Sequence, residues 1–462
     1  MKCDKCDNDA TIHITEIRRG LSNERHLCER CAEMFLPLEE TDYAAYLEQL
    51  PPKQFPRDWL YLPGEPEPTR EEAGMTGIRQ HVLIVNPDTG KVRRVGPKEG
   101  DCFSPVWSPD SKRLALCYLR GNVHSLLLVE PGRRWGRELL RTTFAEPASW
   151  SPDSTRVAFS HPSDGVRVIA ASDVVEGGVD RLSEVPYQDE FFPVWSPCED
   201  LIAFLSRMVE GSVEQKSACS VLVTPLDASK RRTLLRLPWS LVTNLGWSAD
   251  ARLLAALAMP FTSDETEELL APPAGTLHVM QPDEPGTTSV RLDGSYVDFT
   301  WVSGAGGLPG ARLLAGIRME EQESTSAVLI HPRTLETTPV ADDLAFPADE
   351  IRPSLVSDDR RWLLALRAPG RRKIVKVALS AGRSEEIDAR GEPACVAWRP
   401  GTGQFAALVR TDVGVLFEMI SPDGARRTVT HFKRRDFFDV PRLVFSPDGR
   451  LAALEAHSAR VE

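Results

Sequence analysis

Apolar residues in this chain come in short runs, each led in by a large aromatic residue and a polar turn. The clearest copy is Val106-Trp107, then Ser108-Pro109-Asp110-Ser111-Lys112-Arg113, then Leu114-Ala115-Leu116. Runs this short, bounded by Ser-Pro-Asp, predict strands rather than helices. The wording returns at Trp150-Ser151-Pro152-Asp153 before Arg156-Val157-Ala158-Phe159, and at Trp195-Ser196-Pro197 before Leu201-Ile202-Ala203-Phe204. Looser copies are Trp247-Ser248-Ala249-Asp250, Trp301-Val302-Ser303, Leu355-Val356-Ser357-Asp358 and Trp398-Arg399-Pro400-Gly401. Phe445-Ser446-Pro447-Asp448-Gly449 is the last. The aromatic position or its substitute thus falls at 107, 150, 195, 247, 301, 356, 398 and 445, at intervals of 43, 45, 52, 54, 55, 42 and 47 residues. A repeat of this length built from short strands is the pattern of a β-propeller.

Each unit has a physical reading. The Trp ends one strand and offers apolar area to the neighbouring blade. Pro presets φ in the turn, and the Ser and Asp side chains bond nearby N–H groups. The apolar run that follows predicts a strand buried on both faces, which explains its weak alternation. A third strand such as Ser125–Val129 or Val166–Ala170 and a fourth such as Glu138–Thr142 complete the blade.

The ends of the chain predict how the ring closes. After Phe445 only two strands remain, and His81–Pro87 with Lys91–Val95 form two strands that lack a Trp motif. Joining the two pairs gives one more four-stranded blade and removes a free sheet edge. The expected fold is all-β, an eight-bladed propeller, or seven-bladed if the loose unit at 301 or 356 is not a blade. The expected domains are a zinc-binding module at 1–34, an acidic Pro-rich linker at 35–79 that is partly docked, and the propeller at 80–462. Within the linker, residues 41–50 read as a short helix.

Charge narrows the function. The formal net charge is −12 with pI near 5.4, which argues against a general nucleic-acid binder. No apolar run is long enough for a membrane span, and the first residues lack the apolar core of a secretory signal. A cytoplasmic protein is the expectation. Nine cysteines, four of them clustered, fit buried thiols in a reducing compartment better than a disulfide framework.

The four clustered cysteines are Cys3-x2-Cys6 and Cys28-x2-Cys31. Two such knuckles in one short segment can place four thiolates on one tetrahedral zinc ion. Thr11–Thr15 alternates like a strand, Arg19-Gly20 and Ser22-Asn23 read as a turn, and Arg25–Leu27 returns, so the spacer is a predicted hairpin. His13 and His26 are hairpin side chains, read as cross-strand neighbours. A segment this small needs the metal to fold. Met1–Cys6, Ala10–Ile17 and His26–Ala32 resemble the first zinc module of the bacterial protein-arginine-kinase activator (McsA) family. The resemblance implies Cys3, Cys6, Cys28 and Cys31 as metal ligands and a role in partner contacts. The family's second zinc module and its C-terminal helical segment have no counterpart here, so kinase activation does not carry over.

The Trp-Ser-Pro-Asp repeat, over residues from about 80 to 462, resembles the propellers of TolB and of prolyl oligopeptidases. That resemblance speaks for architecture and hardly at all for activity. No Gly-x-Ser-x-Gly elbow, phosphate loop or His-Glu-x-x-His pattern occurs, and no catalytic residue is assigned. One constellation stands out. The loops entering the aromatic-tipped strands carry Glu99, Asp101, Glu146, Asp189, Glu190, Asp298, Glu350, Glu392, Asp436 and Asp439, with Phe103, Phe144, Phe191, Phe192, Phe437 and Phe438. Of these, Asp101, Glu146, Asp189, Glu190, Asp298, Glu350, Asp436 and Asp439 form the expected ligand face. Converging carboxylates would favour a cationic or basic-peptide ligand; the plainer reading is that they cap turns and keep the surface soluble. The expected function is a non-enzymatic interaction protein with a structural zinc and protein partners. A regulator of an arginine kinase or proteolytic system and a propeller hydrolase or lyase are the alternatives.

Overall fold

The computed structural model describes residues 12–18, 21–27, 78–121, 123–133, 136–142, 147–163, 166–175, 178–182, 188–208, 218–228, 230–238, 240–260, 275–282, 290–303, 310–319, 324–346, 350–367, 373–380, 382–433 and 439–459. Near the N-terminus, Ile12–Arg18 pairs antiparallel with Leu21–Leu27, and His13 stands opposite His26. Ser22 and Asn23, read as turn residues, lie in the second strand instead. The four clustered cysteines and the expected helix at 41–50 fall outside the described residues.

From Ile78 onward the described elements are strands, apart from one 3-10 turn at Pro353–Leu355. Residues 101–142, 149–181, 188–237 and 392–433 each form a four-stranded antiparallel sheet. A ten-stranded sheet between residues 240 and 388 holds three more units. They are fused because one strand serves two units. Val290–Ser303 pairs with Gly275–Met280 through its first half and with Ala311–Met319 through its second. Thr337–Ala345 likewise pairs with Ser324–Ile330 and then, at Leu344 and Ala345, with Trp362–Arg367. Both loose stretches therefore contribute strands, with Trp301 opposite Leu313 and Val356 bridged to Leu363.

The remaining sheet joins the two ends. Its order is Asp439–Phe445, Ala452–Ala459, Ile78–Val85, Val92–Val95. Leu83 faces Leu454, and Ile84 faces Ala453. The strand begins at Ile78, two residues before the expected boundary.

Neighbouring units pack through their first strands. Asp439–Phe445 touches both Glu392–Trp398 and Asp101–Trp107, and Ser240–Trp247 touches both Gln188–Trp195 and Val290–Ser303. The Trp residues do more than fill space. Trp107 Nε1 donates to Val444 O (3.0 Å), Trp150 to Val106 O (3.1 Å), Trp247 to Val194 O (3.0 Å), Trp301 to Gly246 O (2.7 Å) and Trp398 to Leu355 O (3.0 Å). Each acceptor directly precedes the aromatic position of the preceding unit. This pairing satisfies a buried polar edge while the ring packs. Trp195 uses its backbone instead, donating to Ser149 Oγ at 2.8 Å.

The Ser-Pro-Asp turns close as their chemistry dictates. Ser108 Oγ donates to Asp110 Oδ1 at 2.6 Å and accepts from Arg113 N at 2.9 Å; Ser151, Ser248, Ser357 and Ser446 repeat the arrangement. The residue after each Asp takes positive φ, with Ser111 at 63° and Ser154 at 62° where Gly449 has 67°. Serine tolerates the cost because its hydroxyl bridges units: Ser154 Oγ accepts from Asp110 N and Ser111 Oγ from Asp448 N, both at 3.0 Å. The apolar runs are the core, as expected of doubly covered strands. Leu114–Cys117, Ile202–Leu205, Leu254–Leu257 and Ala406–Val409 are buried throughout.

Candidate ligand-binding face

The first strand of most units departs from regular pairing at one equivalent place. Register shifts interrupt Phe103/Val106, Phe191/Val194, Val242/Asn244, Tyr296/Asp298, Pro393/Cys395 and Asp439/Arg442. Counting back three residues from the aromatic position gives Ser104, Phe192, Asn244, Asp298, Cys395 and Arg442. A bulge leaves its residue out of the ladder and re-aims the side chain, and such bulges gather beside functional sites. Ser104 and Phe192 take positive φ there, 50° and 57°.

Four of these positions, Asn244, Asp298, Arg442 and Ser104, make polar contacts across successive units. Asn244 Nδ2 donates to Asp298 Oδ1 (2.6 Å), and the Ile351 N–H donates to Asp298 Oδ2 (2.6 Å). Arg352 Nε donates to Glu350 Oε2 at 2.5 Å, while Arg442 reaches the same oxygen at 3.8 Å. Glu455 accepts from the Ser104 N–H at 3.0 Å, and His457 lies 3.6 Å from its other oxygen. Cys395 is buried beside both arginines and accepts from the Leu443 N–H.

The electrostatics follow from burial and neighbours. Burial pushes the Asp298 pKa up to about 6, helped by Glu350 and opposed by the hydrogen bonds from Ile351 and Asn244. Burial raises the Cys395 thiol, so it is no ready nucleophile. Burial and then the charge of Arg352 lower Arg442. Burial alone would raise Glu455, but His457, Arg442 and the Ser104 N–H outweigh it and leave the carboxyl low.

The structure gives the expected acidic face a different character. Asp189 is fully buried and paired with Arg207 at 3.4 Å. Glu190, also buried, is paired with Arg231, which also donates to Gln188 at 2.6 Å. Glu350 pairs with Arg352. Asp101 accepts from Gln80 N at 3.0 Å. Glu146 and Asp436 lie outside the described residues, as does the side chain of Asp439. Phe103 and Phe191 are core residues rather than ligand contacts. Counting carboxylates alone predicts a negative surface; these ion pairs offset three of the eight. Sequence reading missed Arg352, Arg442, Glu455 and Asn244. For Asn244, Arg352 and Arg442 the signal was present, three or four residues before the aromatic position; Glu455, in the strand that follows Phe445, had none.

No protein-family model matches this chain, and no curated protein matches it. Solved structures do. Dipeptidyl peptidase 4 of Porphyromonas gingivalis aligns with TM-score 0.53 at 12% identity, covering 75% of this chain and 55% of that one. The fold is that of a β-propeller. Also similar are an oligogalacturonate lyase from Vibrio parahaemolyticus (TM-score 0.47, 10% identity, 76% and 100% covered) and TolB from Acinetobacter baumannii (0.33, 11%, 83% and 65%). The chain spans about half the length of the peptidase, and at these identities the likeness is one of fold. Among the described residues, no helix is long and apolar enough to cross a membrane.

The buried Asp298 makes a direct pH prediction. Its folded pKa, about 6, lies above the ordinary 3.8, so its protonated form is favoured by folding. Stability from this group is complete below about pH 4 and is lost as pH rises through 6. Against Asp298→Asn, the native chain should lose on the order of 2 kcal/mol across that interval. Burial lowers His81 and His124 to about 4; they titrate alike in both proteins and cancel in the difference. Thermal unfolding from pH 4 to 7 measures it, and parallel curves would exclude the assignment.

Proposed function

We propose that this chain is a non-enzymatic interaction protein, an eight-bladed ring that binds a protein partner through the face where the bulged strands meet. The observation that carries this reading is the convergence of polar groups from six successive units, from the Asn244 side chain past Cys395 round to the Ser104 N–H. Ring closure is supported by the joined terminal strands and by Trp107 bonding back to Val444. A basic peptide, which the acids alone would favour, meets Arg352 and Arg442 here and is the poorer occupant.

The N-terminal module is proposed to hold zinc through Cys3, Cys6, Cys28 and Cys31 and to dock a second partner, in a cytoplasmic setting. The hairpin fits this chemistry. Ile12 stands opposite Leu27, and Cys28 is the next residue in sequence after Leu27. Four thiolates from two knuckles suit tetrahedral zinc, which would supply the folding energy of so small a unit.

The test is affinity capture from the native host with the full chain, with Cys28→Ser/Cys31→Ser and with Arg352→Gln/Arg442→Gln. The cysteine variant should lose about one zinc per chain and one set of partners while the propeller stays folded. The arginine variant should lose the other set. Partner sets unchanged in both would sink the reading. A second reading, a propeller hydrolase or lyase, draws on Asp298, whose pKa near 6 suits a general acid or base.

A further inference from the structure

Two guanidinium groups on this face have few protein partners and keep part of their surface open. Arg352 stands on the 3-10 turn entry of one unit and Arg442 at the bulge two units on, with Cys395 of the unit between them. They expose 17% and 26% of their side chains. A guanidinium carries five N–H donors in a fixed fork. Among the described residues, the hydrogen bond from Arg352 Nε to Glu350 is the one made by either head group. Glu350 is also the nearest carboxylate to Arg442, at 3.8 Å, beyond hydrogen-bond reach. One carboxylate therefore serves two half-buried cations. Glu455 acts on Arg442 through its charge, and its oxygens meet the Ser104 N–H and His457.

We infer that Arg352 and Arg442 form a binding site for a single carboxylate group. Resting on the interaction reading above, this assigns the chemistry that the face recognises. A carboxylate matches the guanidinium fork in plane and spacing and can take two parallel N–H bonds. Charge selects the monoanion. Arg352 and Arg442 are matched by Glu350 and Glu455, so any added anion also meets those two carboxylates, and a monoanion is opposed by them less than a phosphate dianion would be. The buried thiol of Cys395 lines the site as a neutral wall, since its pKa is raised. Asn244 and Asp298 continue the polar contacts on the Glu350 side, where they can meet the donors of a larger ligand. The carboxylate can come from a free acid or from the end of a peptide; the chemistry at the two arginines is the same.

Titration calorimetry on the full chain separates the outcomes. The probes are an acetylated trialanine with a free C-terminus, the same peptide as its amide, succinate, and inorganic phosphate. The free-acid peptide should bind, with the amide weaker by about tenfold or more. Succinate binding as well as the peptide would place recognition in the carboxylate alone; peptide without succinate would add neighbouring contacts. Arg442→Gln should lose about tenfold in affinity and Arg442→Lys less, because the lysine keeps the charge without the fork. A melting temperature close to native shows that each variant folds. Equal affinity for acid and amide, no loss in Arg442→Gln, or phosphate binding more tightly than either carboxylate would overturn the assignment. If the carboxylates fail while the arginine variant still loses partners on capture, the ligand class is wrong and the interaction reading stands.

Discussion

A chain that begins at residue 97 should not fold, whereas one that begins at residue 76 should. The shorter chain lacks Ile78–Val85 and Val92–Val95, the two strands that complete the sheet of Asp439–Phe445 and Ala452–Ala459. Val82, Leu83, Ile84, Val85 and Val95 are all buried, at 4% exposure or less. Burial of side chains of this kind stabilises by about 1.5–3 kcal/mol each. Their sum rivals the roughly 5–15 kcal/mol stability of a whole domain. The truncation would also bare the edge of Ala452–Ala459, an invitation to aggregate. We expect an insoluble product, or soluble material without a cooperative thermal transition. A peptide of residues 78–97 supplied during refolding should restore some of it. A cooperative transition in the chain that begins at 97 would contradict the expectation.

The second large effect is expected at Phe417. Its ring is fully buried in the core shared by Glu392–Trp398, its own sheet and the joined sheet, with Leu83, Val85, Phe445 and Leu454 in the same cluster. Phe417→Ala removes a large volume from a position where surrounding strands cannot collapse. It should cost about 3–5 kcal/mol. Val413, 63% exposed on the adjoining turn, provides the control; Val413→Ala should fall within about 0.5 kcal/mol of native. Denaturant unfolding at constant slope measures both. A loss below about 1 kcal/mol for Phe417→Ala would mean that the terminal strands do not pack where the structure puts them.

Much of this fold was legible because its repeat is written in local chemistry. Ser108 bonds Asp110 across Pro109, and Asp110 accepts from the Lys112 N–H, so their spacing survives wherever the turn survives. The joined terminal sheet was legible by subtraction: two strands without a motif at one end, two missing at the other. The fused strands were not. Val290–Ser303 runs from one unit into the next, and its Asp293-Gly294 reads as a turn in sequence. Asp293-Gly294 falls in the register shift between Leu292 and Tyr296, and the chain goes on from there to pair with the next unit instead of turning back.

The site was legible only in part. Asp189, Glu190, Asp298 and Glu350 were visible as acids near strand entrances, but their partners come from elsewhere. Arg207 reaches Asp189 from the next strand, Arg231 reaches Glu190 from the entry of the fourth strand, and Arg442 approaches Glu350 from two units on. A bulge that turns one residue per strand toward a common face has no composition of its own. It shows once the units are aligned on their aromatic residue and read backwards by three.

Hydrogen exchange on the intact protein tests the ring most directly. Amides of 82–85 and of 452–456 lie in one ladder, so they should exchange slowly, at matching rates, and lose protection together under mild denaturant. Fast exchange at 82–95 beside a protected 452–456 would show a free N-terminal arm and contradict the closed ring.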